Sequence, residues 1–138
     1  MRRIAPFLGL LGALIATGAA AVTPISPKFE EETLRLLESA FAAQGFDERA
    51  FSAIAQTALG VLGAGGESRK SRYLSDYPQM PHVTAESEKL ADGCMRVSLA
   101  AWWPNAPTRR SVLRGIYCMK LDSAYRWHTR GQNVSAEK

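Results

Sequence analysis

Two cysteines, two histidines and a crowd of arginines are the side chains with chemistry to offer in this 138-residue sequence. Cys94 and Cys118 are its only thiols, so they form a disulfide, serve as a redox couple, or hold a metal with help from elsewhere. His82 and His128 are its only imidazoles, and neither stands in a nucleophile or metal-ligand spacing. There is no glycine-rich phosphate loop and no metal signature, and the carboxylates gather in helix starts and polar stretches. These residues assign no catalytic group, metal or cofactor. What remains is a basic set, Arg96, Trp102, Arg110, Arg114, Lys120, Arg126, His128 and Arg130, whose charges suit an acidic partner.

The elements that position this set are legible as alternation. From Met95 to Trp103, Val97, Leu99, Ala101 and Trp103 alternate with Arg96, Ser98, Ala100 and Trp102, the period of a half-buried strand. After Pro104 to Thr108, the run Ser111 to Leu121 alternates again, with Leu113, Gly115, Tyr117, Met119 and Leu121 on one face. Both cysteines fall on the other. Opposed residues of an antiparallel pair share a face, so placing Cys94 opposite Cys118 sets Arg96 against Ile116, Ser98 against Arg114, Ala100 against Val112 and Trp102 against Arg110. Five loop residues are left over, an acceptable hairpin length. A third strand, Tyr125 to Arg130, then pairs Tyr125 with Leu121, Trp127 with Met119 and Thr129 with Tyr117. The even-numbered face collects the whole basic set and includes a like-charge pair, Lys120 opposite Arg126.

The first residues belong to export. Met1-Arg2-Arg3, the apolar stretch Ile4 to Ala16 and the small residues Gly18 to Ala21 read as a secretory signal cleaved after Ala21. The apolar stretch is interrupted by Pro6 and glycines and falls short of the roughly 20 residues of a spanning helix, so no transmembrane span is expected in the mature chain. No cysteine lies at the cleavage site to carry a lipid. In an exported chain, two cysteines brought opposite each other by an independent pattern are expected to form a disulfide. Closing a loop of about 25 residues contributes roughly 3 to 4 kcal/mol in the chain-entropy model. A redox pair is the competing role, but the cysteines lack the close two-residue spacing and nothing in the sequence lowers a thiol pKa. The location expected is periplasmic or secreted, in a bacterium.

Between signal and sheet, Val22 to Pro27 reads as an extended lead-in and residues 28–66 as a helical hairpin. Phe29, Leu34, Leu36, Leu37, Ala40 and Phe41 recur at helical spacing behind the acidic turn Glu30-Glu31-Glu32, and Gly45 stops the helix. Asp47 caps a second helix with the stripe Phe51, Ile54, Ala55, Ala58, Leu59 and Leu62, closing near Gly63. The apolar run Ala53 to Ala64 also fits a membrane-active hairpin. Residues 67–93 read as a polar connection with an exposed basic cluster, Arg69 to Arg72. Within it His82 to Ala91 is either a short helix or, because Asp92-Gly93 precedes an alternating run, a strand. Residues 94–130 form the antiparallel sheet and 131–138 a frayed tail.

The charges are unevenly spread. Lys28 to Gly93 carries 7 basic and 11 acidic residues, and Cys94 to Lys138 carries 8 and 2. An acidic helical half thus faces a basic sheet half. The partners expected are an acidic envelope protein, a polyanionic glycan or lipid headgroups, and nucleic acid is not expected in that compartment. The bland alternative is a solvated sheet face neutralised by the rest of the molecule.

The order cysteine, alternating strand, short turn, Gly115-Ile116-Tyr117-Cys118, short turn, Trp127 resembles the C-terminal domain of rickettsial-type outer-membrane surface antigens. The resemblance spans residues 94–127 and implies envelope residence rather than a defined activity. This chain lacks that family's lipid-bearing cysteine. The expected architecture is α+β: two N-terminal amphipathic helices on a 3–4-stranded antiparallel meander, stapled by one disulfide. Its function is expected to be non-catalytic binding or structural support through the basic face. The alternative is a small-ligand or catalytic pocket between helices and sheet, lined by Trp103, Tyr117, Tyr125 and Trp127.

Overall fold

The hairpin that the alternation encodes is the centre of the molecule. The computed structural model describes residues 27–63, 67–119 and 126–137; the segment read as a secretory signal, the lead-in before Pro27, Lys120 and Tyr125 lie outside them. Strand β4 (Cys94–Trp102) and strand β5 (Arg110–Met119) are antiparallel, with Cys94 opposite Cys118, Arg96 opposite Ile116, Ser98 opposite Arg114 and Ala100 opposite Val112. A disulfide joins Cys94 and Cys118 across a Cα separation of 4.2 Å. That short distance is the one expected of a non-hydrogen-bonded cross-strand pair.

The sheet is larger than expected. Strand β3 (His82–Lys89) pairs with β4, which settles the ambiguous segment before Asp92-Gly93 as a strand. Gly93 has φ +82°, the left-handed geometry that the turn into β4 demands. Strand β2 (Lys70–Tyr73) pairs with β3, so the stretch expected to be a polar connection contains two strands. Strand β1 (Lys28–Phe29) lies parallel to strand β6 (Arg126–Glu137), where a helix start had been expected. The order is β1-β6-β5-β4-β3-β2, six strands instead of three or four, and the parallel β1 makes it more than a meander.

Strand β6 continues to Glu137 through the segment expected to fray. Trp127 opposes Met119 and Thr129 opposes Tyr117, as the three-residue turn required, but Ile116 then opposes Gly131. Arg130 is therefore an extra residue, a β-bulge. The Thr129 hydroxyl holds it, donating to the Ile116 carbonyl at 3.3 Å and accepting from the Gly131 N–H at 2.9 Å. Beyond the bulge the parity of β6 inverts. Gln132 and Val134 share the inner face with Gly115 and Leu113, while Asn133, Ser135 and Glu137 share the outer face with Arg114, Val112 and Arg110. Simple alternation from Trp127 could not reveal this, because one inserted residue exchanges the faces.

Two helices cover the inner face. Helix α1 (Glu31–Ala42) lies over β6, and helix α2 (Glu48–Leu62) over β2, β3 and β4. The carboxylate of Asp47 accepts the Ala50 N–H at 2.9 Å and caps α2, and Gly63 ends it with φ +56°. In α1 the buried positions are Thr33, Leu37 and Phe41; Leu36, placed on the stripe by spacing, is 43% exposed. Inward polar residues also tie the layers together. Ser87 donates to the Val61 carbonyl at 2.8 Å, and the Thr33 hydroxyl accepts the Thr129 N–H at 3.1 Å. No helix among the described residues is long and apolar enough to cross a membrane.

The core lies between the layers: Phe29, Leu37, Phe41, Ile54, Leu62, Val83, Val97, Leu99, Leu113, Tyr117 and Trp127. Tyr117 is tilted against Phe29, its hydroxyl donating to Gln132 at 2.5 Å, and Trp127 donates its indole N–H to the Gly63 carbonyl. Trp103 stacks on Phe46. These described members of the aromatic set are thus engaged with neighbours.

Candidate anion-binding face of the sheet

Both helices lie on one side of the sheet; among the described residues no element covers its outer face, and register arranges the side chains there in rows across the strands. Adjacent rows are about 7 Å apart, two residues along a strand. One row runs His82, Trp102, Arg110, Glu137; the next Arg72, Thr84, Ala100, Val112, Ser135; the third Lys70, Glu86, Ser98, Arg114, Asn133; the fourth Glu88, Arg96, Ile116, Gly131. The last brings Cys94 and Cys118 beside His128.

Of the basic set, Arg96, Trp102, Arg110, Arg114, Arg126, His128 and Arg130 lie on β4, β5 and β6, while Lys120 lies outside the described residues. Among the described residues, carboxylates answer Arg96, Arg114 and Arg130. Arg96 pairs with Glu88 at 2.7 Å, Arg114 with Glu137 at 2.7 Å and Arg130 with Asp92 at 2.6 Å. All these side chains are more than 40% exposed, so each pair is a solvated contact of small net worth. The hydrogen bond from Arg130 holds the Asp92 carboxyl below its ordinary range, and the one to Glu137 raises the Arg114 guanidinium. Arg110 lies over the Trp102 ring, 4.0 Å from its centroid, a cation–π contact. Arg126 stands beside Lys28 in the parallel pair, so β1 adds a cation to this end of the face.

His82 is engaged structurally. Its Nε2 donates to the Ser75 carbonyl at 3.1 Å, and its ring meets Trp102 edge-on. His128 has a buried Nδ1 without a hydrogen-bond partner among the described residues. The disulfide is covered by Arg130, whose guanidinium nitrogen lies 3.4 Å from the Cys94 sulfur. Among the described residues no cluster of three or more His, Cys, Asp or Glu side chains is placed to hold a metal ion.

The face also carries a feature that the sequence did not announce. A trough of about 530 Å³ crosses β2, β3, β4 and β5, with Lys70, Arg72, Thr84, Glu86, Ser98 and Val112 among its lining residues. Lys70 and Arg72 had been placed in a solvated connection, and only β2 pairing brings them beside Glu86 and Thr84. The signal for it was the alternation of Lys70 and Arg72 with Ser71 and Tyr73, four residues too short to stand out. Among the described residues, the side chains of Lys70, Arg72, Thr84, Glu86 and Ser98 make no hydrogen bond or ion pair within the chain. The face thus divides into a region of internally paired charges and a concavity of unspent polar groups.

No protein-family model, curated protein or solved structure matches the chain.

Proposed function

We propose that this chain is an exported, non-catalytic component of the bacterial cell envelope that binds an anionic partner through the open face of its sheet. The observation that carries the proposal is the layering. The helices occupy one face, leaving Lys70, Arg72, Arg96, Arg110, Arg114, Arg126 and Arg130 on the other, against the carboxylates of Glu86, Glu88, Asp92 and Glu137. Internal pairing lowers the excess positive charge without removing it, and paired guanidinium groups retain further N–H donors for an incoming carboxylate or phosphate. The N-terminal segment, read as a secretory signal, supports an envelope location for such a face, where acidic glycans, lipid headgroups and acidic proteins would be its available partners.

The test is charge removal away from the core. The triple variant Arg96→Gln, Arg110→Gln and Arg114→Gln should lose retention on an immobilised sulfated glycan and on vesicles containing phosphatidylglycerol, with its melting temperature within a few degrees of the parent. Undiminished retention on both supports would sink the proposal. Recovery of the mature protein in the cytosolic fraction would sink its envelope part.

A further inference from the structure

Resting on the reading of the open sheet face as an anion-binding surface, we infer that the trough over β2 to β5 is a site for an acidic carbohydrate, a sugar chain carrying carboxylates on some of its rings. Five polar side chains converge on this concavity with no partner of their own among the described residues. Its volume falls within the roughly 300–1,000 Å³ typical of small-ligand sites.

The lining sorts by chemistry. Lys70 and Arg72, both exposed on the outermost strand, are donors for a carboxylate. Glu86 stands opposite Lys70 in register and accepts hydrogen bonds from hydroxyl groups; Thr84 and Ser98 both donate and accept. Ala100 and Val112 offer a small apolar floor, opposed across β4 and β5, on which the C–H face of a pyranose ring can lie. A ligand with negative charge at one place, hydroxyl donors at another and an apolar face between them meets all three demands.

Other anionic partners fit less well. An extended peptide gains affinity by pairing its backbone with a sheet edge; among the described residues the free edge on this side is that of β2, at the rim, so a peptide paired there would lie beside the trough and leave its floor on β3, β4 and β5 unused. A nucleic acid brings a charge at every residue and would set phosphate against Glu86. A membrane surface meets the exposed Lys70 and Arg72 but leaves the Ala100 and Val112 floor unused.

Calorimetric titration of the folded protein with trigalacturonic acid, the matching neutral trisaccharide, polyglutamate and phosphatidylglycerol vesicles tests the assignment. Trigalacturonic acid should bind, the neutral trisaccharide at least tenfold more weakly. The double variant Lys70→Glu and Arg72→Glu should weaken acidic-sugar binding at least tenfold. Ala100→Trp, which fills the trough without touching its charges, should do the same. Lysine and arginine here are exposed, so the double variant keeps the test alive if the tryptophan disturbs folding. Unchanged sugar binding in the double variant, or polyglutamate binding that is as tight as sugar binding and is lost in the same variant, overturns the inference. If the Arg96, Arg110 and Arg114 triple variant loses anionic retention while the trough variants behave as the parent, the trough assignment falls and the open-face reading stands. If the parent binds none of the four probes, both fall.

Discussion

At the scale of single residues, the inner face is governed by one glycine and the outer face by one arginine. A Cβ on Gly115 would lie 2.8 Å from the Tyr117 ring and 2.9 Å from its hydroxyl oxygen, so glycine is what lets the buried tyrosine lie along its own strand and reach Gln132. Gly115→Ala should cost about 1–3 kcal/mol by overpacking, and Tyr117→Phe about 1 kcal/mol by leaving Gln132 without its donor. Chemical denaturation of the two variants checks both figures, and a neutral Gly115→Ala would refute the steric account. Burial also pushes the Tyr117 hydroxyl far above its ordinary range, so it stays protonated and remains a donor throughout physiological pH. On the outer side, Arg130 bridges Asp92 to the disulfide. Because the Asp92 carboxyl is held below its unfolded value, its contribution to stability is present above the ordinary carboxylate range and is lost as pH falls through the depressed value. Asp92→Asn should therefore lower the denaturation midpoint at neutral pH and have no effect below that range. An equal effect in both conditions would remove the ion pair as the cause. The pairing of Cys94 with Cys118 was legible from parity, the leftover loop length and the reading of the chain as exported; the arginine over it was not, because a bulge delivers it.

At the scale of elements, what the sequence disclosed and what it hid follow from how far each signal travels along the chain. The β4–β5 hairpin was readable because its two alternating runs are long and joined by only seven residues, 103–109, and a single register satisfies both. Helix α2 was readable from its stripe and its caps, Asp47 and Gly63. Strands β1 and β2 span 2 and 4 residues, and their strand character comes from long-range partners, β6 and β3, which no local pattern contains. The end of β6 looked like a tail because its outward residues are polar and the bulge breaks its phase. Its role can be tested directly. A chain ending at Arg130 removes Val134 from beside Leu113 and Gln132 from beside Tyr117, and strips β5 of its neighbour along most of its length. Such a chain should fail to give a cooperative unfolding transition, while a chain lacking only Lys138 should melt as the parent does. A cooperative, near-parent melt for the short chain would restore the tail to the status of a frayed end. Within α2, Asp47→Ala should cost about 1 kcal/mol through loss of the cap.

At the scale of the whole molecule, the two-layer arrangement converts an uneven sequence charge into an oriented one. The acidic residues of the helical layer, Glu31, Glu32, Glu38 and Glu48, belong to elements on one side of the sheet, where Arg35, paired with Glu32, and Arg49 offset part of their charge, and the arginines of β4, β5 and β6 are on the other. A molecule polarised across its thickness approaches an anionic surface sheet-first, since the opposite approach brings carboxylates forward. This long-range component is sensitive to salt: the Debye length is about 10 Å at 0.1 M and about 3 Å at 1 M. On the proposed reading, a ligand held in the trough by cations, a carboxylate and hydroxyls is bound at hydrogen-bonding distance, where screening is weaker. Two regimes should therefore separate. Raising salt from 0.1 M to 1 M should abolish retention on phosphatidylglycerol vesicles, and should slow association with an acidic oligosaccharide far more than it speeds its dissociation, because steering governs the encounter and contacts govern the residence time. Neutralising Glu31 and Glu32 on the far layer should raise the association rate only modestly and leave the dissociation rate unchanged. Stopped-flow kinetics on the parent and these two variants read both rates. A salt dependence carried mainly by dissociation would show that the face holds its partner by exposed charges alone and that the trough adds nothing to the complex.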